Sequence, residues 1–314
     1  MPFRARRLPP LARALLSGVL LASAAPAGAF VDDPETGARH RLVFSSLTAG
    51  QYNPLGLQTD LLTGYRVRLL TSEKRILRDT FVGARQVLRI NPAFTRIGAL
   101  VEVQPLAVLT LRAHYEHRDY FGTANMLQSY ASPYSAYDDG TAARRADLGL
   151  KYAGRGHQLW LQVTLRMKVG PVAFLNETEI HDFRLSLRGR DRVFYDAFFD
   201  TLVPGNGWLV ANHAHLIVFA LPRLLLGVRY TVVHALYPES WLDPAVGNVN
   251  TPNHKIGPLA AYVFPSPSRY FKQPTVIALA NWWVRNRYRT GQEVSQGIPY
   301  AILAFQFSGE LWSR

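Results

Sequence analysis

Apolar and polar residues alternate along much of the chain, and the pattern is clearest in residues 94–117. Successive side chains of a β-strand point to opposite faces, so the apolar positions form one row and the charged positions form another. Val101 and Leu109 belong to the apolar row, whereas Glu102 and Arg112 belong to the polar row. The stretch therefore predicts a β-hairpin with one oily face and one charged face.

The turn of this hairpin is predicted at residues 104–106. An odd-length loop pairs Val101 with Leu109 and brings both apolar rows to the same face. Pro105 suits a loop, where no N–H donor is needed. In a soluble sandwich the oily face lines the core, whereas in a membrane barrel it meets lipid and the charged face lines the interior. The hairpin alone leaves both interpretations open.

The N-terminus favours an exported protein. Residues 1–7 are basic, residues 14–25 are apolar, and residues 27–29 read Ala-Gly-Ala. This order is typical of a secretory signal peptide that is cleaved after about Ala29, and it leaves residues 30–314 as a single domain. An uncleaved anchor is the alternative, but the apolar stretch is shorter than the roughly 20 residues that a spanning helix needs.

Segments built like the first hairpin recur to the C-terminus. Strands are predicted at 40–49, 56–71, 77–90, 94–104, 106–117, 144–152, 157–169, 171–186, 190–202, 207–220, 223–237, 256–264, 274–289 and 298–312. Short turns are predicted at 104–106, 153–156, 187–190 and 221–222, and longer loops at 118–143, 238–255 and 290–297. Short connections on one side and long ones on the other are typical of outer-membrane barrels, whose periplasmic turns are short and whose external loops are long.

Assigning the short turns to the periplasm requires an even number of strands, about 12 to 14. Aromatic residues such as Tyr120, Tyr262 and Trp312 fall near predicted strand ends, where the aromatic girdles of barrels lie. Together with the signal peptide, these features resemble those of bacterial outer-membrane β-barrel proteins. The resemblance covers the mature chain and implies an all-β, antiparallel, up-and-down transmembrane β-barrel in the bacterial outer membrane. The chain departs from that family at its end, because Trp312 precedes Ser313 and Arg314 instead of closing the sequence.

Composition excludes several other classes of protein. A chain of 314 residues that is 48% hydrophobic has enough apolar material for a large fold, yet its mean hydropathy of −0.03 is too low for a helical membrane protein. The absence of cysteine excludes disulfides and thiolate metal sites. The net charge is +13, but the arginines are spread through strands. For an exported protein, this distribution of charge favours outer-membrane lipid, lipopolysaccharide or small anionic solutes over nucleic acid as partners. The oligomeric state stays open.

Six basic residues are candidates for a lumen that interacts with anions: Arg112, Arg166, Lys168, Arg285, Arg287 and Arg289. The last three share one face of the predicted strand 274–289, where alternate side chains stand about 6.6 Å apart. Facing inward, such a ladder favours anions, and facing outward near the rim it holds lipopolysaccharide phosphates. A third interpretation is that these arginines merely end the apolar belt.

Acidic residues are predicted to act as salt-bridge partners that partly fill the interior: Glu102, Glu116, Asp147, Glu177 and Glu179. A filled interior makes a plug instead of a pore. The sequence thus predicts a porin-like passive channel, with an anion bias if the lumen is open. The alternative is a non-conducting structural or interaction barrel that contacts partners through its external loops.

An envelope lipid hydrolase is a third possibility, and the chain lacks its motifs. His213 and His215 share a strand face at a spacing that suits an acid–base pair, but no third ligand accompanies them, so neither a metal nor a cofactor is predicted. Nothing resembles the His-x-Ser-Asn-Gly stretch of the outer-membrane phospholipase or the paired aspartates of omptin proteases. Residues 138–140, Asp-Asp-Gly, fit a turn better than a calcium site. The sequence therefore does not predict an enzyme.

Overall fold

The computed structural model describes residues 38–74, 76–77, 80–290 and 297–314. The predicted signal peptide, residues 1–29, lies outside the described residues. Among the residues described, no helix combines the length and the hydropathy that a membrane-spanning helix needs.

Twelve antiparallel strands close into one barrel within the described part of the chain. The barrel strands are β1 (His40–Tyr52), β2 (Gly56–Arg68), β3 (Phe81–Asn91), β4 (Phe94–Leu106), β5 (Leu109–Phe121), β7 (Ala153–Val169), β8 (Val172–Leu185), β11 (Asn206–Phe219), β12 (Leu224–Leu236), β13 (Asn253–Val263), β14 (Lys272–Arg285) and β15 (Tyr300–Ser313). Each pairs with the next barrel strand along the chain, and β1 pairs with β15 to close the wall. The predicted up-and-down barrel is confirmed.

Among the residues described, a small sheet and two helices are not part of the barrel wall. The sheet contains β6 (Ser129–Tyr130), β9 (Val193–Asp196) and β10 (Thr201–Pro204), with β9 in the centre. Helix α1 (Asp139–Asp147) begins after Asp138, and the Asp138 carboxylate accepts the Thr141 N–H at 2.7 Å. A 3-10 helix spans Glu239–Trp241. The Asp138 cap satisfies an N–H that the first turn of a helix leaves free.

Two of the predicted strands are wrong. Residues 144–152 form the end of α1 and the turn after it. The neighbours of β7 in the barrel are therefore β5 and β8, and not residues 144–152. Residues 190–202 contain β9 and part of β10, which belong to the small sheet. The predicted turns also change, because residues 153–156 begin β7 and residues 187–190 belong to a long connection. Without these two segments, the sequence pattern gives the observed strand number.

The first hairpin has the predicted faces but a different register. Val101 is 55% exposed on the outer wall and Glu102 is 1% exposed inside. Val101 pairs with Ala113, not with Leu109, because Leu106 and Leu109 flank a turn at residues 107–108. An irregularity between Val103 and Leu106 absorbs the additional residue.

The wall is apolar outside and polar inside over much of its circumference. Leu161 and Leu303 are 45% and 65% exposed on the outer face, whereas Arg89 and Gln158 are fully buried inside. A belt of exposed apolar side chains on a closed wall is stable against hydrocarbon and unfavourable against water. This arrangement is that of a transmembrane barrel.

The connections divide between the two ends of the barrel. Residues 122–152, 186–205 and 237–252 join strands at one end, which we call the external end because outer-membrane barrels carry their long loops there. Residues 107–108 and 170–171 are short turns at the opposite, periplasmic end, where His40 and Arg314 also lie. The predicted division holds only in part, because residues 53–55 and 92–93 are short external turns and residues 69–80 and 264–271 are longer periplasmic connections.

Candidate functional site

One buried ionic cluster is centred on Glu102. Its carboxylate lies 3.1 Å from the Arg66 Nε, 2.5 Å from an Arg85 terminal nitrogen and 3.4 Å from the Arg112 Nε. These side chains come from β4, β2, β3 and β5, whose inward positions are adjacent in the sheet. One carboxylate therefore serves three guanidinium groups in a space that excludes water.

A second ionic cluster lies nearer the external end. Glu116 accepts from the Arg89 Nε at 3.1 Å and from the Trp160 indole N–H at 3.2 Å, and it lies 3.7 Å from Arg96. Arg89 also pairs with Asp60. Guanidinium groups suit such shared sites, because their planar set of donors reaches several carboxylates at once. We call these two clusters, together with the buried residues around them on β2–β8, the ionic half of the interior.

The predicted histidine pair lies inside the barrel. A terminal nitrogen of Arg229 lies 2.9 Å from the His213 Nδ1, and the His215 Nε2 lies 3.6 Å from a Glu177 oxygen. On β8, His181 and Glu179 form a similar contact at 3.1 Å. In the described chain, no group of three or more His, Cys, Asp or Glu side chains is arranged to hold a metal ion. The pair therefore has the contacts of a packed polar interior, and a catalytic role for it stays untested.

The opposite side of the interior carries a large apolar cluster, beside inward polar side chains such as His213 and Arg229. Its buried cluster comprises Leu47, Ala173, Ile217, Leu225, Leu259, Ala261, Val263, Ile277, Leu279, Tyr300, Ile302 and Ala304. We call this cluster the apolar half; it lies mainly on β11–β15 and β1. Above it, the Lys255 ammonium lies 3.6 Å from the centre of the Tyr300 ring. Side chains from both halves thus fill the barrel, and a water-filled passage would leave them exposed.

Residues 193–204, which we call the inserted segment, close the external mouth. Asp196 accepts from the Arg118 guanidinium at 3.2 Å, and Arg118 points inward from β5. The Ala197 carbonyl accepts from the Gln51 amide at 3.3 Å. Asn253 of β13 donates to the Asp200 carbonyl at 3.4 Å. The segment thus bonds to inward-facing side chains on opposite sides of the wall.

Aromatic rings hold the tip of the inserted segment. The Phe198 ring meets Phe94 edge to face, with 5.7 Å between ring centres, and Phe199 lies 5.1 Å from His181. Both phenylalanines belong to a buried apolar cluster with inward side chains of β8, β11 and β12. The sequence interpretation missed the role of the inserted segment. Residues 193–204 carry apolar side chains at both odd and even positions, whereas a barrel strand with one polar face carries them at only one of the two.

The predicted arginine ladder is interrupted, because β14 ends at Arg285. The Asn286 side chain accepts the N–H groups of Tyr288 and Arg289 at 2.9 and 3.0 Å, and this turn bends the chain away from the strand. Arg287 then donates to the carbonyls of Pro133 and Tyr134. The three arginines therefore do not share one strand face.

Arg289 connects three loops. Its guanidinium donates to Asp200 at 2.9 Å, to Asp139 at 2.5 and 2.8 Å, and to Asn53 at 3.0 Å. Burial lowers the pKa of Arg289, but the carboxylates of Asp200 and Asp139 outweigh that effect and raise it above its ordinary value. With Asp138 capping α1 and Asp139 paired with Arg289, the acids of the Asp-Asp-Gly turn have structural contacts.

The remaining predicted lumen residues lie on β5 and β7. Arg112 is buried beside Glu102, and Arg166 donates to the Gln104 amide oxygen at 2.8 Å. Lys168 is partly exposed near the periplasmic end, with its ammonium 3.8 Å from the Phe219 ring centre. An interaction of these residues with anions stays a prediction. Asp147, predicted to fill the interior, is instead exposed at the end of α1.

A pocket of about 200 Å³ opens among the external loops. It is lined by Pro133, Tyr137, Thr201, Tyr237, Asn248, Val249, Thr251, Asn253, Arg285, Asn286 and Arg287. Its lining residues come from four separate stretches of the chain. The pattern within any one stretch therefore could not predict the pocket. The available signal was the Asn- and Pro-rich stretch 248–253, which the sequence interpretation treated only as a loop.

Comparisons with known proteins give similarity of architecture alone. No protein-family model matches the chain, and no curated protein matches it. Among solved structures, OccAB1 of Acinetobacter baumannii matches 81% of this chain and 58% of its own, with 11% identity and a TM-score of 0.40. The outer membrane protein Omp33 of the same species matches 87% and 98%, with 8% identity and a TM-score of 0.34. LpxR from Salmonella typhimurium matches 85% and 99%, with 10% identity and a TM-score of 0.37.

Similarities as low as these do not indicate a shared activity. The present chain spans 58% of the OccAB1 chain. The assignment of this chain to the outer-membrane β-barrel fold rests on its own closed wall and its apolar belt.

Proposed function

We propose that the protein is a porin-like barrel of the bacterial outer membrane, held closed at its external mouth by the inserted segment and favouring anions when it opens. The observation that carries this proposal is the segment itself. Residues 193–204 extend from a long connection into the mouth, where Asp196 pairs with Arg118 and Phe198 packs on Phe94. A loop that occupies the passage is a natural gate, because it is tethered at both ends to the wall.

The location follows from the solvent that each face requires. Outward side chains such as Val101, Leu161 and Leu303 need hydrocarbon around them, whereas the charged interior needs to be kept away from it. A closed antiparallel wall satisfies every backbone hydrogen bond without help from solvent. Both properties suit a bilayer and support an outer-membrane location.

The anion preference follows from the balance of interior charge. Buried cations outnumber buried acids on the inward faces of β2–β13. The cations are Arg66, Arg85, Arg89, Arg96, Arg112, Arg118, Arg166, Arg229 and Lys255, and the acids are Asp60, Glu102, Glu116, Glu177 and Glu179. Water that enters such an interior meets a positive potential, which lowers the barrier for anions relative to cations.

A cross-link across the mouth tests the gate. The chain has no cysteine, so Gln51→Cys with Ala197→Cys provides two unique thiols at neighbouring positions, where the Gln51 side-chain amide lies 3.3 Å from the Ala197 backbone carbonyl. The purified protein is treated with a short, cleavable bifunctional thiol reagent and studied in planar lipid bilayers. We expect occasional conductance steps from the untreated double variant, none after cross-linking, and their return after cleavage of the linker.

The two single-cysteine variants are the controls, since each reacts with the reagent but joins nothing. Equal conductance before and after cross-linking would show that the segment is not the gate. In a salt gradient, the reversal potential should report anion preference. A cation-selective reversal potential would remove the argument from interior charge.

A non-conducting barrel that acts through its external loops is the second candidate. The packing of both interior halves favours it, because moving the inserted segment alone leaves Glu102, Arg85 and the apolar cluster in place. The same recordings separate the candidates. Absence of steps even after residues 197–200 are replaced by a short glycine linker would favour the non-conducting barrel over the gated one.

An enzymatic function has no comparable support. The histidine pair lies among buried partners instead of at an open cleft. The prediction that the chain is not an enzyme stays open to a direct test. Assays of purified protein with phospholipid and lipid A substrates should show no hydrolysis, and turnover lost in His213→Ala would overturn this view.

A further inference from the structure

The pocket among the external loops has an unusual balance of charge. Arg285 and Arg287 line it, and its lining contains no carboxylate. The Arg285 side chain is exposed and makes no hydrogen bond or ion pair to any residue that the structure describes. Two positive charges without an acid in the same wall create a local potential that attracts an anion.

Arg287 is positioned as a fixed charge. Its terminal nitrogens donate to the Pro133 carbonyl at 2.9 Å and to the Tyr134 carbonyl at 2.5 Å. Its guanidinium also lies 5.8 Å from the Tyr137 ring centre and 5.2 Å from the Tyr288 ring centre. Carbonyls hold this cation in place without cancelling its charge, so the charge remains available to a ligand.

Asp200 is bonded to residues that line the pocket, and its carboxylate already has partners of its own. Asn253 and Asn286, which line the pocket, both donate to the Asp200 carbonyl. The Asp200 carboxylate accepts from Arg289 at 2.9 and 3.2 Å and from the Tyr195 hydroxyl at 2.7 Å. Arg289 is shared between Asp200 and Asp139, so it compensates the charge of Asp200 only in part, while the pocket lining itself carries Arg285 and Arg287 and no carboxylate.

The rest of the lining consists of neutral hydrogen-bonding side chains, the tyrosines Tyr137 and Tyr237, and the apolar residues Pro133 and Val249. Thr201, Thr251 and Asn248 offer hydroxyl and amide groups. Burial raises the pKa of Tyr137 and of Tyr237, so both hydroxyls stay protonated and add no negative charge. Neutral donors and acceptors around a cationic pair suit a ligand that carries hydroxyl groups as well as a negative charge.

The size of the pocket limits the ligand further. At about 200 Å³ it is smaller than the roughly 300–1,000 Å³ of pockets for drug-sized ligands. The geometry points to a binding site for a small hydroxylated organic anion of monosaccharide size, a sugar acid or a sugar phosphate, with Arg285 as the principal charge contact. This inference concerns binding alone and does not require the barrel to conduct.

Calorimetric titration of detergent-solubilised protein tests the inference. The probes are glucuronate, glucose 6-phosphate and neutral glucose. We expect at least one anion to bind and glucose to bind at least about ten-fold more weakly, since one charge-assisted contact is worth that factor. The stronger of the two anions identifies whether the site selects carboxylate or phosphate.

Arg285→Gln is the decisive variant, because the exposed side chain has no partner to lose among the described residues. It should weaken anion binding about ten-fold or more and leave glucose binding unchanged. Arg190→Gln removes an equally exposed arginine outside the pocket and should bind like the parent protein. The faster migration of unheated barrel protein on a denaturing gel verifies folding of both variants.

Three results would overturn the inference. The first is that neither anion binds at concentrations up to about 10 mM. The second is that glucose binds as tightly as the anions, which would mean that charge has no role. The third is that Arg285→Gln and Arg190→Gln have equal effects, which would place the binding elsewhere on the surface.

Discussion

The two halves of the barrel interior exclude water by different means. The ionic half buries guanidinium groups around a smaller number of carboxylates that they share, as Arg66, Arg85 and Arg112 share Glu102. The apolar half buries aliphatic side chains such as Ile277 and Leu279, which need no partner. Both halves exclude water, but the ionic half depends on complementary charges, whereas the apolar cluster depends only on the volume that its side chains fill.

The contrast bears on the proposed opening of the mouth. Apolar packing loses little when one methyl group is removed, whereas a shared carboxylate is a single point on which several charges depend. The inserted segment is attached to the ionic side through Asp196 and Arg118 and to the aromatic cluster through Phe198. In the proposed gate, compensation of that charge elsewhere should favour opening.

The largest effect is expected for Glu102→Gln. The substitution keeps the shape but leaves three buried guanidinium groups without their shared counter-charge, and it should lower the free energy of unfolding by about 3–5 kcal/mol. Urea unfolding in lipid vesicles, followed by tryptophan fluorescence, measures this loss. Glu239→Gln, at an exposed site on the external 3-10 helix, is the matched control and should cost below about 0.5 kcal/mol. Equal stability of the two variants would mean that water reaches the Glu102 cluster.

Asp196→Asn should have a smaller and local effect. The amide oxygen still accepts from the Phe198 and Phe199 N–H groups, but Arg118 loses its charged partner in the inserted segment. We expect local opening to become easier by about 1.5–3 kcal/mol, the worth of a hydrogen bond to a charged group. Amide hydrogen exchange should accelerate in residues 193–204 and remain unchanged in β3. Uniform acceleration across the barrel would contradict a local role.

The apolar half should respond more weakly to a small deletion. Ile277→Val removes one buried methylene and should cost about 0.5–1.5 kcal/mol. Ile256→Val makes the same change on the outer face of β13, where lipid fills the gap, and should cost less. The difference between the two matched variants in the unfolding assay isolates the cavity. A larger cost at Ile256 would contradict the assignment of inner and outer faces.

Much of the wall could be predicted from the sequence, because strand parity and the two solvents impose the same alternation on every barrel strand. The loops could not. Leu148 and Leu150 alternate as in a strand, but the Asp138 cap ten residues earlier starts a helix that ends beside them. Arg287 and Arg289 keep the parity of Arg285, but the Asn286 turn ends the strand between them.

The candidate sites were less predictable than the fold, for the same reason. Arg112 and Arg166 were identified because they lie on regular strands, where position alone decides the face. The pocket and the inserted segment bring together residues far apart in the chain, such as Gln51 and Ala197. Only the assembled structure shows that residues 193–204, apolar at both parities, fit between the walls of the mouth.

The smallest effect is expected from salt, and it is the most direct test of how the ionic half is closed. Raising the KCl concentration from about 0.1 to 1 M shortens the screening length from about 10 to 3 Å, which weakens ion pairs that water and ions can reach. Glu102 and Glu116 are buried with their arginines, so mobile ions cannot come between them. The free energy of unfolding should therefore change by less than about 0.5 kcal/mol, within the worth of one exposed pair. The Glu102→Gln variant provides the comparison. If high salt destabilises the parent protein but not the variant, the Glu102 cluster is open to solvent. In that case the interior would be a hydrated passage lined by charge, and the contrast between its two halves would be one of polarity instead of packing.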